Sequence, residues 1–210
     1  MSKFHPTPRT MLLSSATVLA IALAAGAVHA EVPEACVACH NDDGIATDPA
    51  VPTLAGNAAF FIENQMFLFQ QEDRPCGADY FAARADVEAS DHCSAVAELS
   101  EDDIAAIGEA YEGMDFAAFE QDVDEAMAAK GEELHDAGCD RCHSEAGSEP
   151  FDEAGLLAGQ PKPYMIANMK YYRDGERWQP ESMQSAMENL SDEDIAALAE
   201  YYAREGLSRF

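Results

Sequence analysis

One five-residue pattern, Cys-x-x-Cys-His, stands in this sequence twice, at Cys36-Val-Ala-Cys39-His40 and at Cys139-Asp-Arg-Cys142-His143. A shared frame surrounds it. The triplet Leu-Ala-Gly follows each first cysteine by 18 residues, at 54–56 and 157–159, and a Met stands ten residues beyond each Gly, at Met66 and Met169. Both units close on the same run, Leu99-Ser-Glu-Asp-Asp-Ile-Ala-Ala-Ile and Leu190-Ser-Asp-Glu-Asp-Ile-Ala-Ala-Leu. Self-similarity of this kind means one supersecondary unit used twice, so the fold is read one unit at a time.

Each unit reads as helical. Ser100 and Ser191 are N-caps, and Asp103 and Asp194 three residues on complete a capping box with Asp in place of Glu. The acidic first turns suit the positive end of the helix dipole. Ile104, Ile107 and Tyr111 then follow at helical spacing, as do Ile195, Leu198 and Tyr202. A helix with a wide apolar face is expected between Gly56 and Gln71, carrying Phe60, Phe61, Met66 and Phe67. Tyr164, Met165, Met169 and Tyr172 repeat it. Met66 and Met169 lie mid-helix on those faces and are assigned to core. Asp122 to His135 reads as a helix leading into the second motif, with Val123, Met127 and Leu134 on its inner side. No strand pattern emerges. The expected class is all-α, with a first domain at 31–114, a linker at 115–121 and a second domain at 122–210. Units this small have weak cores alone, and a large apolar group held covalently would complete them.

Residues 1–30 read as a secretory signal. Lys3 and Arg9 precede an uncharged apolar run from Met11 to Ala27, and Val28-His29-Ala30 offers a cleavage site. The alternative is an uncleaved anchor, but a run of about 17 residues is at the short end for a membrane span, and nothing later is apolar enough to cross. Export to the periplasm follows. The chain has 40 acidic and 12 Lys or Arg residues, a formal charge of −28. Such a surface repels nucleic acid and anionic lipid and favours basic protein partners or a salty medium.

Cys-x-x-Cys-His is the attachment motif of heme c. Two thiols at that spacing on a helical turn reach both porphyrin vinyl groups, and the adjacent His lies beneath the iron as proximal ligand. A zinc or redox reading of a lone Cys-x-x-Cys weakens when the motif recurs, with its His, in an exported repeat. Two covalent hemes c are expected, on Cys36 and Cys39 with His40, and on Cys139 and Cys142 with His143. An electron-transfer heme also needs a distal ligand, usually Met or His. The second unit offers Met183 and Met187 ahead of its closing helix.

The layout resembles the diheme cytochromes c of the c-four type, built from two tandem class I cytochrome c domains. The second half is similar to the diheme subunit of flavocytochrome c sulfide dehydrogenase. The residues that carry the likeness are Glu133-Leu134-His135-Asp136, the second heme motif, Leu157-Ala158-Gly159-Gln160, Pro163-Tyr164, Tyr172-Arg173 and Leu190-Ser191. The resemblance implies a distal Met seven residues before the Leu that opens the last helix, which is Met183; Met187, three before it, is the second choice. The first unit departs from this pattern. Its seventh residue before Leu99 is His92, no Met lies between Met66 and Leu99, and about 12 extra residues containing Cys76 stand between Gln71 and His92. The distal ligand there is His92, or the neighbouring Cys93, or the site is open. Cys76 and Cys93, both outside the heme motifs of an exported chain, are expected to form a disulfide.

Three functions compete. The first is a non-catalytic electron carrier between redox proteins, with a flavoprotein or a terminal oxidase among the partners. The second is an electron-accepting subunit bound to a sulfide-oxidising flavoprotein. The third is a thiosulfate-oxidising diheme enzyme with a thiolate-ligated heme, for which Cys93 is the available thiolate. No acid–base pair, nucleophile triad, P-loop or dinucleotide fingerprint points to other chemistry.

Overall fold

The computed structural model describes residues 1, 32–77 and 91–210. The expected signal segment therefore lies outside the described residues apart from Met1, as does most of the inserted stretch of the first unit. Every regular element among the described residues is helical, and none of their helices is long and apolar enough to cross a membrane.

The first unit contains α1 (Glu34–His40), α2 (Ala59–Gln70), α3 (His92–Val96) and α4 (Glu101–Glu112). The second contains α5 (Glu125–Gly138), α6 (Lys162–Arg173), α7 (Glu181–Met187) and α8 (Asp192–Arg209). Both closing helices begin as their sequence dictates. The Ser100 hydroxyl accepts from the Asp103 amide while the Asp103 carboxylate accepts from the Ser100 amide, and Ser191 with Asp194 repeats the exchange. Each box satisfies two amides that a helix start leaves without intrahelical partners.

Two apolar clusters form, one per unit. In the first, α2 packs on α4 and buries Ile62, Met66, Phe69, Ile104, Ile107 and Tyr111. In the second, α6 packs on α8 and buries Met165, Met169, Ile195, Leu198 and Tyr202. The glycine loop of each unit is tied to its closing helix by the same bond: Gly56 N donates to Tyr111 O, and Gly159 N to Tyr202 O, both at 2.9 Å.

Helix α5 corrects one expectation. Its fully buried residues are Ala128, Gly131 and His135, whereas Met127 and Leu134 are only partly buried and Val123 precedes the helix, which starts at Glu125 rather than Asp122. The reason is close approach. Helices α5 and α8 come together where Gly131 has no side chain, so small residues, not large apolar ones, mark the inner side.

The units meet through reciprocal bonds. Gln160 holds both main-chain groups of Thr53, its Oε1 accepting from Thr53 N and its Nε2 donating to Thr53 O, each at 2.9 Å. Asn57 occupies the matching place in the first unit, one residue after the Leu-Ala-Gly triplet, and its Oδ1 accepts from Leu156 N at 2.8 Å. Both side chains are buried. The interface is thus an approximate two-fold contact between like surfaces of the repeat.

Candidate heme sites

In the first unit α1 carries the whole motif. Pro33 opens the helix, its carbonyl accepting from Cys36 N and Val37 N, and Cys36 and Cys39, three residues apart, share one face. His40 is the last residue of α1 and is buried. Its Nδ1 lies 3.2 Å from the Pro52 carbonyl oxygen. Across from it stands His92, at the start of α3, where the Asp91 cap and Ser94 form a capping box. The His92 ring stacks on Phe69 with centroids 4.7 Å apart and planes within 8°. Its Nδ1 lies 3.1 Å from the Cys76 carbonyl oxygen, which also accepts from the His92 amide at 2.9 Å.

The two imidazoles face each other with ring centroids 6.5 Å apart. A metal–imidazole bond of about 2 Å on each side, plus half a ring's width, spans roughly that distance. In both rings an Nδ1–H donated to a main-chain carbonyl fixes the tautomer and leaves Nε2 as the ligating nitrogen, the usual arrangement of metal-binding histidines. Burial, then the charge of His92, pushes His40 down to about 4. Burial, then Arg74, brings His92 to about 4 as well. Both rings are neutral at pH 7, as ligation requires.

Cys76 and Cys93 form a disulfide. Held in this bridge, the Cys93 sulfur carries no thiolate. The bridge also holds together the residue whose carbonyl orients His92 and the residue next to His92 in sequence.

The second motif is built differently. Cys139 caps the C-terminus of α5, and Cys142 N and His143 N both donate back to its carbonyl, at 3.1 and 3.0 Å. The four motif cysteines form no disulfide. His143 is partly buried, and its Nδ1 is a buried polar atom with no hydrogen-bond partner. Burial, then the nearby His135, pushes its ring down to about 4. Met183, on α7, is partly buried against the second core cluster, while Met187 is a fully buried member of that cluster.

All eight residues singled out from the sequence, Cys36, Cys39, His40, His92, Cys139, Cys142, His143 and Met183, line one cavity of about 930 Å³ that is continuous across the two units. Its walls are otherwise largely apolar, including Ile62, Phe69, Met165 and Leu198. An apolar chamber with thiols at its rim, facing imidazoles and a thioether fits a covalently attached porphyrin.

Sequence reasoning gave no site role to several buried polar residues. His135, four residues before Cys139, is 1% exposed, its Nδ1 is 3.1 Å from the Tyr202 hydroxyl, and its Nε2 is 3.6 Å from an Asp140 carboxylate oxygen. Arg74, Arg177, Gln65 and Asn168 form a polar cluster on the cavity wall between the units. The signal for this cluster was present in the repeat, because Arg74 and Arg177 each stand eight residues beyond the mid-helix Met, and Gln65 and Asn168 directly before it.

The sequence and the fold have counterparts among known proteins. The family model for cytochrome c matches residues 128–203. The chain is similar to the thiosulfate dehydrogenase electron acceptor of Stutzerimonas stutzeri, 31% identical over 180 residues that cover 82% of this chain and 79% of that protein. It is similar to cytochrome c4 of Azotobacter vinelandii, 28% identical over 204 residues, 90% of this chain and 94% of that one. Among solved structures, Acidithiobacillus ferrooxidans cytochrome c4 has the same fold, with a TM-score of 0.65 at 23% identity over 81% of this chain and 99% of that one.

Proposed function

The chain belongs to the cytochrome c4 family of diheme cytochromes, and from that premise we propose that it works in the periplasm as a two-heme carrier whose units ligate their irons differently. It is an electron-transfer protein with covalently bound heme c. Bound heme supplies an iron that takes up and releases one electron. The chain's own residues attach, ligate and shield it.

Cys36 with Cys39, and Cys139 with Cys142, provide the thioether anchors. His40 and His143 are the proximal ligands, and His92 and Met183 the distal ones. One observation carries this assignment: all eight residues line a single apolar cavity, with the His40 and His92 rings 6.5 Å apart and each tied by Nδ1 to a main-chain carbonyl. The continuity of the cavity across the interface supports electron passage between the two sites within one molecule. The partners are redox proteins, with basic docking faces favoured by the charge of −28.

A second reading has its own support. The Stutzerimonas stutzeri relative is named as the electron acceptor of a thiosulfate dehydrogenase, so the donor to this chain is proposed to be an enzyme of that class. The disulfide at Cys93 argues against this chain oxidising thiosulfate itself through a heme thiolate.

The test is to count and classify the hemes. Purified holoprotein is expected to give two hemes per chain by pyridine hemochrome analysis. Paramagnetic resonance of the oxidised form should resolve one bis-imidazole and one imidazole–thioether signal. One heme per chain, or two identical signals, overturns the assignment. Mixing with thiosulfate alone should leave the hemes oxidised, and adding a thiosulfate-oxidising enzyme should reduce them.

A further inference from the structure

Tyr111 and Tyr202 hold the same place in the two units, on the closing helices α4 and α8, and both are buried. Their hydroxyls differ. That of Tyr111 is buried with no hydrogen-bond partner among the described residues. That of Tyr202 lies 3.1 Å from His135 Nδ1 and is also within hydrogen-bond reach of the Cys139 sulfur. The difference comes from one position. The residue four before the first cysteine of each motif is Val32 in the first unit and His135 in the second. The His135 ring packs against both tyrosines of α8, 5.1 Å from the Tyr201 centroid and edge-on to Tyr202 at 5.6 Å. Its Nε2 lies 3.6 Å from a carboxylate oxygen of Asp140, the exposed residue that follows Cys139.

A chain of polar atoms thus runs from an exposed carboxylate to a buried sulfur, through Asp140, His135, Tyr202 and Cys139. A valine fills the same place in the first unit, so packing alone does not call for an imidazole there, and burying one is costly unless its polar atoms are matched. Tyr202, Asp140 and Cys139 line the heme cavity, and His135 stands buried behind them. The hydrogens can be counted. Burial lowers the proton affinity of His135 even against the pull of Asp140, so the ring is neutral at pH 7 with a single N–H. Burial, then Cys139, pushes Tyr202 well above the ordinary tyrosine range, so its hydroxyl keeps its one hydrogen. A carboxylate facing Nε2 selects the tautomer with the hydrogen on Nε2. Nδ1 then carries the lone pair and accepts the Tyr202 hydrogen. The Cys139 sulfur faces the hydroxyl oxygen and receives none.

We propose that His135, held by Asp140, is a positioning residue for the second heme: it turns the Tyr202 hydroxyl hydrogen away from the Cys139 sulfur and so keeps that heme's potential down. This role rests on the two-heme reading above. Once Cys139 is a thioether, its sulfur has no hydrogen of its own and can only accept. A hydrogen bond donated to it would draw electron density from the attached ring and favour reduced iron, since hydrogen bonds around a redox centre are one of the protein's levers on its potential. With His135 in place that donation is diverted to the imidazole. Without it, the hydroxyl has only the sulfur to bond. The first unit has valine at this position, so the device acts on one heme alone and narrows the step in potential between the two.

The experiment is a spectroelectrochemical titration of holoprotein carrying His135→Phe, Tyr202→Phe or both, with His135→Val, which copies the first unit, should the larger ring fold poorly. His135→Phe is expected to shift the reduction equilibrium of the second heme about threefold toward the reduced form, about 28 mV at 59 mV per tenfold for a one-electron couple, and to leave the first heme in place. In the Tyr202→Phe background the same change should move neither heme, because the hydroxyl it acts through is gone. Nitrogen-15 NMR of the reduced wild type should find the His135 hydrogen on Nε2 and none on Nδ1. A shift shared equally by both hemes, a shift that persists without the Tyr202 hydroxyl, or a hydrogen on Nδ1 overturns the proposal. A preparation with one heme per chain would sink the two-heme reading and this role with it, while two hemes whose potentials ignore His135→Phe would sink this role alone.

Discussion

Gly131 on α5 and Ala197 on α8 meet backbone to backbone: a Cβ placed on Gly131 would lie 2.1 Å from the Ala197 carbonyl oxygen and 2.7 Å from Tyr201 Cβ. Neither neighbour is the end of a flexible side chain, so the helices themselves would have to part. Gly131→Ala is expected to destabilise the holoprotein by about 3 kcal/mol, the upper range for overpacking. Gly113→Ala is the control. Its φ is −75° and its nearest contacts are at 3.5 Å, so it should be neutral or stabilise by up to about 1 kcal/mol. Denaturant melts of the two variants check this, and equal stabilities would contradict it.

That contact also shows where the sequence was legible and where it was not. The Ser100 and Ser191 caps, the core places of Ile104, Ile107 and Tyr111 with their counterparts, and the Cys76–Cys93 bridge follow from local chemistry and from the repeat. The heme motifs were readable because thiol spacing is a chemical requirement. The inner face of α5 was not, because glycine and alanine carry no hydrophobic signal and close approach is a property of two helices together. Arg74 and Arg177 escaped for a related reason. A charged residue in a strongly acidic chain reads as surface until the interface of the two units is seen.

The disulfide should act on the first site alone. It closes a loop spanning 17 positions and joins Cys76, whose carbonyl orients His92, to the residue after His92. Replacing both cysteines by Ser is expected to cost roughly 3 kcal/mol by the chain-entropy estimate and to broaden the first heme's paramagnetic signal while leaving the second unchanged. Alkylation without reductant should leave the wild-type mass unaltered. Two added labels would show that the bridge does not form in solution.

Acid sensitivity has an identifiable contributor. The Ser191 hydroxyl, and then Lys130, hold the Asp194 carboxyl down to about 2 from its ordinary 3.8. The unfolded chain takes up this proton at the higher value, so between the two the unfolded state binds more protons and stability falls as pH falls. The contribution is complete above about pH 5 and gone below pH 2. The melting difference between wild type and Asp194→Asn should therefore shrink as pH drops from 6 to 2. A difference constant over that range would exclude the effect.

Salt should slow the encounter with a basic redox partner. A net charge of −28 steers such a partner over long range, and screening shortens that range from about 30 Å at 10 mM salt to about 3 Å at 1 M. Stopped-flow reduction of a basic acceptor should show a bimolecular rate that falls steeply across this interval. A flat rate would mean that the acidity serves solubility in a salty medium and not docking.

The two hemes should differ in potential, with the first the harder to reduce. His92 and Met183 hold equivalent places, each seven residues before the Leu that precedes the closing helix, and the insertion in the first unit lies upstream of that place. His92 stacks on Phe69 and is tied through Nδ1 to the Cys76 carbonyl, so its ring is held facing His40. Met183 is the partly buried methionine of α7, whereas Met187 is 4% exposed and packed into the second core. Imidazole favours ferric iron more than a thioether does, and thioether ligation raises the potential. Electrons should therefore rest on the second heme and pass through the first only transiently. His92→Met is expected to raise the first potential toward the second. Met183→His should lower the second, and Met183→Ala should abolish the weak near-infrared band of iron–thioether bonding. Met187→Ala should keep that band and cost about 2–3 kcal/mol of stability as a core truncation. A redox titration in which His92→Met moves neither potential, or in which Met187→Ala is the change that removes the band, would reassign the distal ligands.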